Sequence, residues 1–159
     1  MLGKYLEIID RAAAAKAPEV AAGFRAGAGD QELALLQRTI FGQQPIPADL
    51  EAFFRWHDGQ EGYRSLSPMD NRMLMSIEEA LSTWSFLSDP TEDIQQPWEL
   101  SWIPILANGA GDYIVYVASG ARKGSLLAYW HDADDRRVEF PSLEAWAREV
   151  AESYAAPAA

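Results

Sequence analysis

The chain has 159 residues, 48% of them apolar, with six Trp, six Tyr, six Phe and no cysteine. That length suits one domain with a buried core, and the missing thiols exclude disulfides, thiolate zinc sites, cysteine-ligated iron–sulfur clusters and cysteine nucleophiles. Thirteen basic residues against 24 acidic ones give a net charge of −11, which repels nucleic-acid phosphates and anionic membranes and attracts basic partners. Five basic and five acidic residues precede Ile46, so all of the net charge falls after it. Lys4, Glu7, Asp10 and Arg11 interrupt the apolar residues of the N-terminus. No signal-type stretch and no bilayer-length run is therefore expected, and the expected compartment is the cytoplasm.

The first third reads as helical. Leu2, Tyr5, Leu6, Ile9 and Ala13 recur at helical spacing, Pro18 opens a short Ala-rich segment, and Asp30 is expected to cap a helix with Leu33, Leu36 and Ile40 on its apolar side. Gly42 stops that helix. Pro47 fits the first turn of the next, where Leu50, Phe53, Phe54 and His57 fall at i, i+3, i+4 and i+7 before Gly59. Residues 60–68 read as a loop holding Tyr63, and residues 72–75 as a short extended piece.

Ser76 and Glu79 have capping-box spacing, opening a helix faced by Ile77, Ala80, Leu81, Trp84 and Leu87 and closed by Asp89-Pro90. An acidic loop over 89–100 contains Trp98. Four short strands come next, over 102–106, 113–118, 126–130 and 137–140, joined by Gly- and Asp-containing turns. Residues 113–118 are apolar on both faces and predict an inner strand; Val138-Glu139-Phe140 alternates as an edge strand does. Ser142 caps a last helix with Leu143, Trp146, Val150 and Tyr154 inward, and residues 155–159 read as a frayed tail. The result is one α+β domain over 1–159: an antiparallel sheet of four to six strands with helices on one face, residues 1–45 a helical N-terminal extension and 46–154 the core.

Chemistry is sparse. Neither Gly-Ala-Gly-Asp, at Gly27 or Gly109, lies between a strand and a helix with a third glycine, so no dinucleotide fingerprint is present. His57 and His131 lack zincin spacing, and each suits a structural hydrogen bond. The run from Asp132 to Asp135 fails as a calcium loop because Arg137 stands where glycine is required and Arg136 competes with an ion. No nucleophile elbow occurs. No catalytic residue, metal ligand or cofactor is expected, and Trp84, Trp102 and Trp146 read as core. Three aromatics near acidic loops, Tyr63, Trp98 and Trp130, have the makings of interface anchors, with a charged rim of Asp89, Glu92, Asp93, Asp132, Asp134 and Asp135.

The order of several pieces carries more than any one of them. Ile46-Pro47 opens a helix ending in Asp58-Gly59; residues 74–84, Trp98 and Trp102-Ile103-Pro104-Ile105 come after it. Then come Gly109-x-Gly111-Asp112-Tyr113, Gly124, Tyr129-x-His131-Asp132 and Phe140-x-x-Leu143-x-x-Trp146. In this pattern the chain resembles the SUKH superfamily, the fungal Smi/Knr-type cell-wall assembly regulators and their bacterial relatives, over most of 46–151. The family often has an aspartate in the strand after the Gly-Asp turn, where this chain runs Tyr113-Ile114-Val115-Tyr116-Val117, a departure that sets it apart from any shared polar site there. The resemblance implies protein binding rather than catalysis. Bacterial members resemble immunity proteins that neutralise a toxin; fungal members act as signalling scaffolds, which leaves a regulator of envelope assembly as the first alternative and an enzyme of unrecognised type as the second. With the −11 charge, the implied partner is a protein with a basic surface, such as a nuclease toxin, and neither nucleic acid nor membrane.

Overall fold

A computed structural model describes residues 1–155, and in it five antiparallel strands neighbour one another in chain order. β1 (Met73–Leu74) and β5 (Val138–Phe140) are the edges, flanking β2 (Trp102–Ala107), β3 (Tyr113–Val117) and β4 (Leu126–Tyr129). The fold is α+β, with β3 innermost and β5 at an edge, as the apolar patterns of these strands require. Pro104 has no N–H to give the ladder, and the β2–β3 register shifts between Pro104 and Leu106.

Alternation along the strands sends side chains into two separate cores. Ile114 and Tyr116 of β3 and Leu126 and Ala128 of β4 join the large core, while Val115, Val117, Leu127 and Tyr129 form a smaller one on the opposite face. Helices cover the first face. α1 (Leu2–Lys16) packs along α6 (Leu143–Ala155), which also meets α4 (Ala48–Trp56). Leu6 and Ile9 of α1, Phe53 and Phe54 of α4, and Trp146 of α6 fill that core, Phe53 lying edge-on to Trp146 at 5.6 Å between centroids. Leu33 and Leu36 of α3 (Asp30–Leu36) and Val20 of α2 (Pro18–Ala21) belong to it too, so residues 1–45 share one core with the sheet and the later helices. Among the described residues no helix is long and apolar enough to cross a membrane.

Local chemistry sets most boundaries. α5 (Ile77–Leu87) opens on the expected capping box: Glu79 N–H donates to Ser76 Oγ at 3.1 Å and Ser76 N–H to the Glu79 carboxylate at 3.0 Å. Ser142 Oγ accepts from Ala145 N–H at 3.0 Å at the start of α6. Five expectations change. Gly29 occupies the cap position of α3, its N–H donating to Glu32, while Asp30 is the first helical residue and pairs with Arg55 at 3.0 Å. Pro47 precedes α4 rather than lying in its first turn, and His57 has left the helix for extended backbone at φ −147°. The Trp84 ring is half-exposed because its indole N–H reaches back to the Leu100 carbonyl at 2.9 Å. Ala155 is still helical, and the rest of the expected frayed tail lies outside the described residues.

The first Gly-Ala-Gly-Asp has a backbone role. Residues 23–28 run beside 54–61, with Ala28 N–H donating to the Phe54 carbonyl at 2.9 Å and Asp58 N–H to the Ala26 carbonyl at 3.0 Å. A Cβ on Gly27 would sit 1.7 Å from the Arg55 carbonyl oxygen, so only glycine permits this approach. Gly27→Ala is expected to cost about 3 kcal/mol in denaturant unfolding. Gly3→Ala, on α1 where a Cβ meets nothing within 4 Å, should be neutral or stabilising.

Candidate functional site

Among the described residues no helix is laid across the second sheet face. Leu87 at the end of α5 and the connection over residues 88–101 cover it instead, with Ile94 and Trp98 packed on Trp102, Leu127 and Tyr129. Trp98 is half-buried. Its ring stands edge-on to Trp102 and Tyr129 at 5.7 and 5.6 Å, and its indole N–H donates to Ser88 Oγ at 3.0 Å.

A connection without regular structure leaves carbonyls in need of donors, and Arg136 supplies them. This arginine is only 8% exposed. Its Nε donates to the Pro97 carbonyl at 2.9 Å and a terminal nitrogen to the Gln95 carbonyl at 3.2 Å; the other terminal nitrogen reaches the Ala133 and Asp135 carbonyls, each at 2.8 Å. The guanidinium lies 4.1 Å from the centre of the Tyr129 ring, whose hydroxyl also donates to the Gln95 carbonyl. Burial lowers the Arg136 pKa from its ordinary value, opposed by Tyr129, Asp134 and Asp135. One buried cation thus fastens the 88–101 connection to the β4–β5 connection.

Both connections are acidic. Asp132, Asp134 and Asp135 are exposed on one, Glu92 and Asp93 on the other. Asp89 is half-buried and serves its own turn, accepting from the Thr91 N–H and hydroxyl at 2.9 and 2.8 Å, bonds that hold its carboxyl below the usual range. Arg137 meets Asp135 at 3.8 Å.

The other two aromatic candidates lie elsewhere. Tyr63 is 94% exposed on the loop after α4, beside Met73 of β1 and Glu78 of α5. Trp130 packs against the large core, on the face opposite Trp98. The structure therefore joins the connection that carries Trp98 to the one that carries Asp132, Asp134 and Asp135, and puts Trp130 on the sheet face opposite Trp98. Sequence reading missed Arg136 as the organiser, because an arginine in a run of charges carries no mark of burial.

Both histidines are tied down. His57 is hydrogen-bonded to Asp10 and to the Arg25 carbonyl, both at 2.7 Å, with its ring stacked on Phe24. Asp112 accepts from the His131 N–H at 2.9 Å, from His131 Nδ1 at 2.7 Å and from the Asn108 amide at 2.9 Å. Asp112, His131 and Asp132 offer ligand-type atoms within 4.8 Å of one another, but these three hydrogen bonds already engage Asp112 in the β2–β3 turn and with the chain that leaves β4. The hydrogen bond to Asp112 raises the His131 pKa; for Asp112, burial acts upward and is outweighed by the hydrogen bonds from His131 and Asn108, which leave it lowered.

Replacing Arg136 with Leu leaves several carbonyls without a donor and should cost about 3 kcal/mol, with faster amide exchange over residues 94–98. Arg136→Lys should recover only part of this, because an ammonium cannot span carbonyls on two sides. The His131 contribution to stability is complete below its ordinary value of 6.5 and is lost as pH rises through the raised folded value; that of Asp112 is present above 3.8 and lost as pH falls through its depressed one. NMR titration should place His131 above 6.5, and Asp112→Asn should return it toward that value.

Residues 27–149 match the SMI1 / KNR4 family (SUKH-1). No curated protein matches the chain. The family match takes in every strand of the sheet, both acidic connections and Arg136, and begins at Gly27, where backbone meets backbone beside α4. By that match over most of its length the chain belongs to the SMI1 / KNR4 family.

Proposed function

We propose that this chain is a non-catalytic binding protein of the cytoplasm, an immunity protein that neutralises a cognate toxin by direct contact through its acidic connections. The observation that carries the reading is the Arg136 clasp. Its cation is spent inward on backbone carbonyls, while Glu92, Asp93, Asp132, Asp134 and Asp135 face solvent. Such a surface steers a basic partner, and a nuclease that must bind phosphate is basic where it works. Trp98, half-buried beside these acids, is the aromatic suited to the contact, with its packing on Trp102 fixing its ring in advance.

Coexpression with the product of a neighbouring toxin gene should protect cells, and the two proteins should co-elute as a complex. Changing the five exposed acids to amides should slow association about tenfold and flatten its salt dependence, with dissociation little altered. His57→Ala and His131→Ala should retain protection. A toxin-carrying strain that grows normally without this protein, or a mixture that forms no complex, refutes the reading; altered morphology without poisoning points instead to envelope assembly.

A further inference from the structure

A groove of about 520 Å³ lies along β5, between α6 and the segment that leads into β1. Phe140 and Val150 give it an apolar lining, and Met69, 75% exposed, forms part of its wall. Ser67 and Ser153 hydroxyls, 3.0 Å apart, hold that wall against α6, so the groove is formed in advance.

Its charge is one-sided. Among the described residues Arg72 is the only basic side chain lining it, and that cation is held by Glu139 at 3.5 Å and Asp70 at 3.9 Å. Glu149 and Glu152, three residues apart and both exposed on α6, line the same groove, and neither makes an ion pair among the described residues. Residues at this spacing share a helix face. A groove lined by Phe140 and Val150 together with two carboxylates that make no ion pair among the described residues matches a side chain with a long aliphatic stem and a cationic head, and Met69 can adapt to its shape. β5 is also a free edge of the sheet, with β4 its one strand neighbour, and an extended segment lies readily against such an edge.

We propose that this groove receives an arginine- or lysine-bearing extended segment of a protein partner, its cationic head between Glu149 and Glu152 and its stem over Phe140 and Val150. The inference rests on the reading of the chain as a binder of basic proteins and places a second contact away from the acidic connections.

The probe is a capped peptide of alternating arginine and valine, titrated into ¹⁵N-labelled protein, with a glutamate–valine peptide as control. The basic peptide should shift the amides of Met69, Phe140, Val150 and Ser153 saturably, and the control should not. Glu149→Gln combined with Glu152→Gln, both solvent-facing changes, should weaken binding about fivefold at unchanged melting temperature. Largest shifts at residues 89–93 or 132–135, equal affinity of the double variant, or no saturable binding overturn the groove. Peptide bound only at the acidic connections sinks this inference and leaves the proposed function standing. Peptide bound in the groove of a protein that forms no toxin complex does the reverse.

Discussion

The central strands β3 and β4 are apolar on both faces, so the sheet has to be covered twice. Helices cover one face at low cost, since they satisfy their own backbone groups. The other is closed by a connection that must find outside donors for its carbonyls, and in this protein one guanidinium provides them at Gln95 and Pro97, beside the Tyr129 hydroxyl at Gln95 and the Trp84 indole at Leu100. Burying a cation is expensive unless its donors are engaged. Arg136 meets that condition with four carbonyls and an aromatic face, and the β4–β5 connection is held to the 88–101 connection as a consequence.

The same arrangement links stability to electrostatics. Carboxylates on two connections distant in sequence are held on joined segments, which costs repulsion in the folded state and creates a field that a basic partner relieves on binding. Asp89 and Asp112 do not share this role fully, because each is engaged in the hydrogen bonds of its own turn. Trp98 has two functions in the geometry: it closes the small core through Trp102 and Tyr129 and remains half-exposed at the margin of the acidic region.

The N-terminal helices are bound into the domain by two different means. α1 contributes side chains to the core beside α6, a matter of apolar area. Residues 23–28 instead join the end of α4 and the chain after it through backbone hydrogen bonds, where the absence of a Cβ at Gly27 is the condition for contact. His57 reinforces this junction through Asp10 and the Arg25 carbonyl.

Local patterns determined much of this protein from sequence alone. Periodicity located the helices, alternation and Gly-rich turns gave an antiparallel meander, Ser76 and Ser142 marked helix starts, and the double-sided apolar run at 113–118 identified the inner strand. These features depend on residues within a few positions of one another, or on the face a side chain takes along its own element. Tertiary structure alone decided the fate of Arg136, the placing of Trp130 on the sheet face opposite Trp98, and the turning of Asp30 from a cap to a partner of Arg55. Each depends on what lies across the fold: a charged side chain is buried when distant carbonyls need its protons, and an aromatic joins a surface only when the sheet turns it to that face.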